Sequence, residues 1–353
     1  METARELKKE FGLQWHITTN CANHCKHCYM FQSEYFEREA EDELDLASIK
    51  RIISDLTKFC KFTKTRPHIA FSGGDPFLRS DFFQILEHIK KLREKGIDFT
   101  LRVLGNPTFL TASIVRDLER FGIEKYQISL DGLQKTHDAQ RRKGSFAESL
   151  RGFGLLKDSK IKSLCMFSLS KANAGELKEV MTLASDIGVN VFGFARVVPF
   201  EEMKAADLFS PQEYRDFLGD IYEHQVKLTK SGTSTRFSFK DHLWKLFFYE
   251  RGEYQLSARA NQIVAGCGMG INCLSVLADG TAYACRRFIS PVGKLPEQSI
   301  ADVFLGNKLN KYRQIKKFFK CSKCELLYYC RGCPAVAWGV TGSYTQADPQ
   351  CWK

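Results

Sequence analysis

Thirteen cysteines in a chain of 353 residues are many, and they are spread unevenly. Cys21, Cys25 and Cys28 form one run, eight more fall between Cys267 and Cys351, and only Cys60 and Cys165 lie between. Met1–Glu10 is charged and polar, which does not read as a secretory signal, so such clusters point to metal ligation before disulfides. Three thiolates cannot close a tetrahedral site. The run Cys21-x3-Cys25-x2-Cys28 therefore leaves one metal position open for an outside ligand, or is completed as a zinc Cys3His site by His24 or His27. The other eight, Cys267, Cys273, Cys285, Cys321, Cys324, Cys330, Cys333 and Cys351, make two full sets of four. Two iron–sulfur clusters or two zinc ribbons would use them. Cys60, read as lying beyond the first helix, and Cys165, in a β run, are expected to be small buried hydrophobes.

These ligands need a frame. Between Gly12 and Pro199, short apolar runs alternate with amphipathic segments. Leu13–Thr18, His68–Ser72, Phe99–Leu104, Tyr126–Leu130, Leu164–Leu169 and Val189–Val197 read as buried parallel strands. The intervening segments carry apolar residues at helical spacing, as in Leu46, Ile49, Ile52, Ile53 and Leu56 behind Asp45 as N-cap. Thr111 is expected to cap a later helix, and glycines such as Gly188 to end them. Six such units predict an α/β fold, a partial (β/α)6 TIM-type barrel with right-handed crossovers. The first cysteine run then sits at the C-terminal mouth of a strand, where barrel active sites lie. Ser210-Pro211-Gln212-Glu213 reads as a capping box opening a helical bridge. The boundaries read as 1–200 for the barrel, 201–260 for the bridge and 261–353 for a small metal-held domain.

The formal net charge is +11, which ordinarily suggests nucleic acid or an acidic surface. The basic residues are scattered and no aromatic-interleaved basic motif appears, so nucleic acid is not expected. No stretch approaches 18 apolar residues, so no membrane span is expected and a cytoplasmic location is the default. The acidic run Glu37–Asp45 reads as a solvated loop and helix start. Lys311–Lys320 reads as an exposed basic helix facing an electron donor or an acidic substrate.

Cys21-x3-Cys25-x2-Cys28 followed by the aromatic Tyr29 resembles the motif of the radical S-adenosylmethionine (SAM) superfamily. The resemblance covers about Leu13 to Pro199. It implies a [4Fe–4S] cluster on Cys21, Cys25 and Cys28 whose fourth iron is chelated by SAM, with Tyr29 beside the adenine. Ser72-Gly73-Gly74-Asp75-Pro76 resembles the family's GGEP motif with Asp75 in place of Glu. It implies that Gly73, Gly74 and Asp75 meet the SAM ammonium group. Ser129-Leu130-Asp131-Gly132 and the following His137–Arg141 resemble the SAM-contacting stretch of the peptide- and protein-modifying subgroup, with Ser129 and Arg141 at the amino-acid end. Read without the resemblance, Arg141 is as readily a solvated charge.

The C-terminal cysteines, with Gly280 before Cys285, resemble a SPASM domain, which usually binds two auxiliary [4Fe–4S] clusters. The resemblance implies Cys267, Cys273, Cys285 and Cys333 for one and Cys321, Cys324, Cys330 and Cys351 for the other. The family commonly places three residues between the last two cysteines of the central run, whereas Arg331-Gly332 gives two. Three 2+ clusters with eleven thiolates would lower the net charge to about +6.

The lead expectation is a peptide-modifying enzyme of the ribosomal-peptide maturase type: SAM is cleaved to a 5′-deoxyadenosyl radical that abstracts hydrogen from a precursor peptide or protein. A flavodoxin- or ferredoxin-type donor would supply electrons. Only 20 residues precede Cys21, so a leader-binding element is expected, if at all, on a separate protein. The alternatives are a sulfatase (formylglycine) maturase and a small-molecule or tetrapyrrole oxidase. In the sulfatase-maturing group an Asp base commonly follows the cysteine matching Cys285, and here that position is Arg286. Outside enzymes stand an iron–sulfur electron carrier and a zinc adaptor. No catalytic base is identified.

Overall fold

The computed structural model describes residues 10–30, 41–199, 207–256 and 262–353. Residues 37–40 of the acidic run and residues 201–206 and 257–260 of the bridge lie outside them. One ten-stranded sheet dominates, in the order β10-β9-β8-β1-β2-β3-β4-β5-β6-β7. Its six expected strands are β1 (Glu10–Thr18), β2 (Arg66–Gly73), β3 (Thr100–Leu104), β4 (Lys125–Ser129), β5 (Lys162–Leu169) and β6 (Val191–Arg196). All pair in parallel with their sequence neighbours, because each is followed by a helix that returns the chain to the starting edge.

Four further strands extend the sheet. β7 (Arg236–Ser238) comes from the bridge and adds parallel to β6. At the other edge β8 (Cys273–Val276) pairs in parallel with β1 and begins an antiparallel meander with β9 (Thr281–Tyr283) and β10 (Pro291–Lys294). β7 and β8 line the same central cavity, so eight parallel strands curl around one lumen with an unpaired seam between those two. The C-terminal segment is more than metal-held loops: Leu274, Val276, Ala282, Leu295 and Ile300 belong to the same hydrophobic core as Leu13 and Ile53.

Local signals act as the residue types require. Asp45 accepts from Ser48 N at 2.7 Å and starts the helix Leu46–Thr63. Thr111 caps Ala112–Arg120, and Ser210 with Glu213 closes the capping box of Pro211–Lys230. Removing one such cap costs about 1 kcal/mol. Two expectations change. Cys60 lies inside the helix Leu46–Thr63, buried in its last turns, not beyond it. The basic run Lys311–Lys320 is not one exposed helix. The helix Asn307–Arg313 ends at Gln314, and a short 3-10 turn follows at Ile315–Lys317. Tyr312, Ile315 and Phe318, three residues apart, are buried and pin the segment, leaving Lys316, Lys317 and Lys320 exposed. No helix among the described residues is long and apolar enough to cross a membrane.

Candidate active site

The first cysteine run leaves β1 at a loop held from three sides. Glu43 Oε1 accepts from Thr19 N at 2.6 Å and from the hydroxyls of Thr18 and Thr19, each at 2.9 Å. Gly74 N donates to Thr18 O at 2.9 Å and Asp75 N to Asn20 O at 2.6 Å. The two glycines are needed by this backbone contact. Gly73 has φ +124°, and a Cβ on Gly74 would lie 1.9 Å from Asn20 O. The Asp75 carboxyl does not reach toward a ligand as expected. It is fully buried, accepts from Phe77 N at 3.0 Å and Asn106 N at 3.2 Å, and caps the turn at Pro76. Ser72, Gly73 and Gly74 do line the cavity. The loop therefore offers backbone and Ser72, while its carboxylate serves the scaffold.

A cavity of about 370 Å³ opens above these strand ends, and its wall includes Cys21, Cys25, Cys28, Tyr29, Ser129 and Arg141. Asn106 Nδ2 lies 3.5 Å from Cys21 Sγ and Arg141 Nη1 3.6 Å from Cys25 Sγ, so both sulfurs face N–H donors. Burial pushes the Cys25 thiol up to about 11, against the pull of Arg141. A thiolate there needs further positive charge, which a metal centre supplies. His27 does not complete a zinc site: its Nδ1 is 2.8 Å from Gln140 Nε2 and its Nε2 3.6 Å from Asp131 Oδ2. Among the described residues no three His, Cys, Asp or Glu side chains converge on a single ion. The three thiols thus share one wall of a space that also holds room for a ligand.

Arg141 is not a solvated charge. Its Nε donates to Asp131 Oδ2 at 2.5 Å, and Asp131 Oδ1 accepts from Ser168 N at 2.7 Å. Burial alone would raise the Asp131 carboxyl, but Arg141, His27 and the Ser168 N–H outweigh it and hold it below the usual range. The sequence places Asp131 in the Ser129–Gly132 stretch at the strand end but gives it no role of its own. Arg141→Lys keeps the charge but loses the planar fork. SAM affinity is expected to fall about tenfold, one charge-assisted hydrogen bond. Equilibrium binding of SAM to the reconstituted protein tests this, and an unchanged affinity would remove Arg141 from the ligand's contacts.

The C-terminal segment adds Cys285, Arg286 and Arg287 to the lining, and Lys240 and Arg196 line it too. Arg286 lies 5.7 Å from the Tyr29 ring centroid, and its Nε donates to His16 Nδ1 at 3.2 Å. That bond leaves the proton of neutral His16 on Nε2. His16 is 1 % exposed, lines the cavity, and its Nε2 has no hydrogen-bond partner among the described residues. Arg287 donates to Arg196 O and approaches Cys333 Sγ at 3.5 Å. Arg196 is itself buried between Asp241 and Asp348, with ion-pair distances of 2.8 and 2.7 Å. None of His16, Lys240, Arg196 or Asp348 stood out as a motif, because each acts through partners far along the chain.

The eight C-terminal thiols sort into two neighbourhoods. Cys267 feels Cys285 and Cys333, and Cys273 feels Cys267. Cys321 feels Cys351 and Cys324, and Cys330 feels Cys351 and Cys321. Cys321, Cys324, Cys330 and Cys351 also line one small pocket. Burial pushes Cys267, Cys273 and Cys330 up to about 12. The short Cys330-x2-Cys333 spacing still serves both neighbourhoods. Arg331 and Gly332 both adopt positive φ, 118° and 59°, which turns the chain between the two sulfurs. Gly280 has φ +86°, and a Cβ there would lie 2.0 Å from Leu295 O.

Residues 15–184 match the radical SAM superfamily, and residues 267–334 match the SPASM iron–sulfur cluster-binding domain. The chain belongs to the radical SAM superfamily and carries a SPASM domain, which implies SAM and iron–sulfur clusters as its cofactors. It is 26% identical to the AdoMet-dependent heme synthase of Methanosarcina barkeri, over 96% of this chain and 95% of that protein. It is 27% identical to the Fe-coproporphyrin III synthase of the same organism, over 96% and 86%. The mycofactocin maturase MftC of Mycolicibacterium smegmatis is 28% identical over 98% of this chain and 84% of that protein, while SkfB and AlbA of Bacillus subtilis match over 68% of their own length. Among solved structures, anSMEcpe with bound AdoMet shares the fold, with a TM-score of 0.76 at 18% identity over 97% of this chain and 94% of that one.

Proposed function

We propose that this protein is a radical SAM oxidase of a carboxylate-bearing tetrapyrrole, in place of the expected ribosomal-peptide maturase. The observation that carries the reading is the cationic lining of the cavity: Arg286, Arg287 and Lys240 line the same space as Cys21, Cys25 and Cys28. Relatives named for heme and coproporphyrin synthesis match nearly end to end, as one maturase also does, and such molecules carry carboxylates that guanidinium groups bind well. The residues present fit three [4Fe–4S] clusters, on Cys21, Cys25 and Cys28, on Cys267, Cys273, Cys285 and Cys333, and on Cys321, Cys324, Cys330 and Cys351. When bound, SAM and the first cluster supply a radical able to take a hydrogen atom from carbon. The protein's own part is placement. Ser129 and Arg141 hold the amino-acid end of SAM, Tyr29 packs beside its adenine, and Arg286 with His16 Nε2–H orients a substrate carboxylate. A flavodoxin- or ferredoxin-type donor supplies the electron. A tetrapyrrole needs no leader-binding partner.

The test is mass spectrometry of anaerobic reactions with SAM, dithionite and either an iron coproporphyrin or candidate peptides encoded nearby. Oxidised porphyrin is expected. Modified peptide with untouched porphyrin would restore the maturase reading. A guanidinium cannot act as a base at Arg286, so no formylglycine is expected from a sulfatase-motif peptide in the same assay. An aldehyde product would overturn both statements.

A further inference from the structure

Below the cavity that holds the cysteine run lies a second chamber of about 390 Å³, within the range of small-molecule sites. Gln14, Leu104, Gln127, Met166 and Lys240 line both, so the two spaces are stacked along the barrel axis and share a waist. The lower chamber is walled by all eight parallel strands, mostly by their N-terminal halves. Its charged lining is of one sign: Arg102, Lys125, Arg236 and Lys240, with His68, and no Asp or Glu among the described residues. Glu10 approaches Arg102 only at 3.9 Å. Arg102 Nε and His68 Nε2 are buried with no hydrogen-bond partner among the described residues. Among the described residues no ion pair forms to Lys125, Arg236 or Lys240.

We propose that the lower chamber is a carboxylate-binding site that holds the substrate's anionic arms remote from the carbon that reacts. Four cations facing one lumen repel one another, and that cost is retained where an anion offsets it. The amines register enclosure first and neighbouring positive charge second. Burial, Arg287 and Arg102 draw the Lys240 amine down to about 8, and burial, Arg102 and Arg236 draw Lys125 down as well. Space is kept for a guest by small residues, since Gly12, Ala70 and Gly193 line the chamber. A methyl on Gly12 would lie 2.9 Å from the His68 ring. A tetrapyrrole that presents one carboxylate to Arg286 carries others at the far edge of a rigid ring. A second cationic site at a fixed distance selects such a molecule over one with a single carboxylate. Only the identity of the guest rests on the proposed function; the anion preference rests on the lining.

The experiment uses the anaerobically reconstituted full chain and two probes, a porphyrin tetracarboxylate and its tetramethyl ester, titrated by absorbance. Wild type is expected to bind the acid at least about tenfold tighter than the ester. Arg102→Gln, Lys125→Gln and Arg236→Gln should each weaken the acid about five- to tenfold and leave the ester unchanged, while Arg102→Lys and Arg236→Lys should keep most of the acid affinity. Gln removes like-charge repulsion, so the Gln variants should also melt no lower than wild type. Acid affinity equal to wild type in all three Gln variants overturns the chamber and leaves the porphyrin reading standing. So does a loss shared equally by acid and ester, or one that the Lys variants do not rescue. If wild type binds neither porphyrin, the tetrapyrrole reading fails and citrate becomes the probe. Calorimetric binding to wild type that a triple Gln variant loses upholds the chamber, and no citrate binding to wild type overturns it.

Discussion

Replacing Cys21, Cys25 and Cys28 together by Ala is expected to abolish SAM cleavage while the protein stays folded. Iron should fall from about twelve to about eight per reconstituted chain. The loop that carries these residues is fixed without them, by Glu43, by the backbone of Gly74 and Asp75, and by Lys26 N donating to Gln140 O at 3.0 Å. The eight remaining thiols lie in two neighbourhoods of the C-terminal segment. Continued formation of 5′-deoxyadenosine under dithionite would remove the radical chemistry from this loop. Zinc in place of iron in the wild type would remove it from the whole protein.

The largest stability effect is expected at Asp348. Its carboxylate pairs with Arg196 through both oxygens, at 2.7 and 2.8 Å, and Oδ2 also accepts from Cys333 N at 2.7 Å. Arg196 and Asp348 are almost wholly buried. Asp348→Ala leaves a buried guanidinium with Asp241 and Gln350 alone and strips the acceptor from the Cys333 amide. Breaking such a pair costs about 3–5 kcal/mol. Because Asp348 fixes Cys333 and lies three residues before Cys351, iron should be lost from both auxiliary sets. Urea unfolding and iron analysis of the reconstituted variant read this. A shift worth under about 1 kcal/mol with full iron content would show that the pair is incidental. Asp348→Asn retains the Cys333 bond and should lie between.

Much of the frame was legible along the chain. The six apolar runs became β1 to β6, and Asp45, Thr111 and Ser210 capped the helices they precede. These outcomes follow from interactions within a few residues: the period of side chains on one face and the reach of a side-chain oxygen to an N–H three residues on. The three-cysteine run at the end of β1 was equally readable, because ligand spacing in one short loop is local.

What tertiary structure alone decided is where side chains with two credible destinations went. Asp75 turned into the scaffold because Asn106, arriving from the end of β3, offers it a backbone donor. Arg141 became a buried partner of Asp131, whose carboxylate it holds charged together with His27 and the Ser168 N–H from β5. Arg102, Lys125 and Arg236 look like scattered charge in the sequence. They share a chamber because the sheet curls until β7 and β8 face the same lumen. Pattern along the chain reports periodicity, whereas pleat direction, register and curl decide which residues meet. The cysteine run was therefore fixed by the chain itself, and the cationic walls around it only by the closing of the sheet.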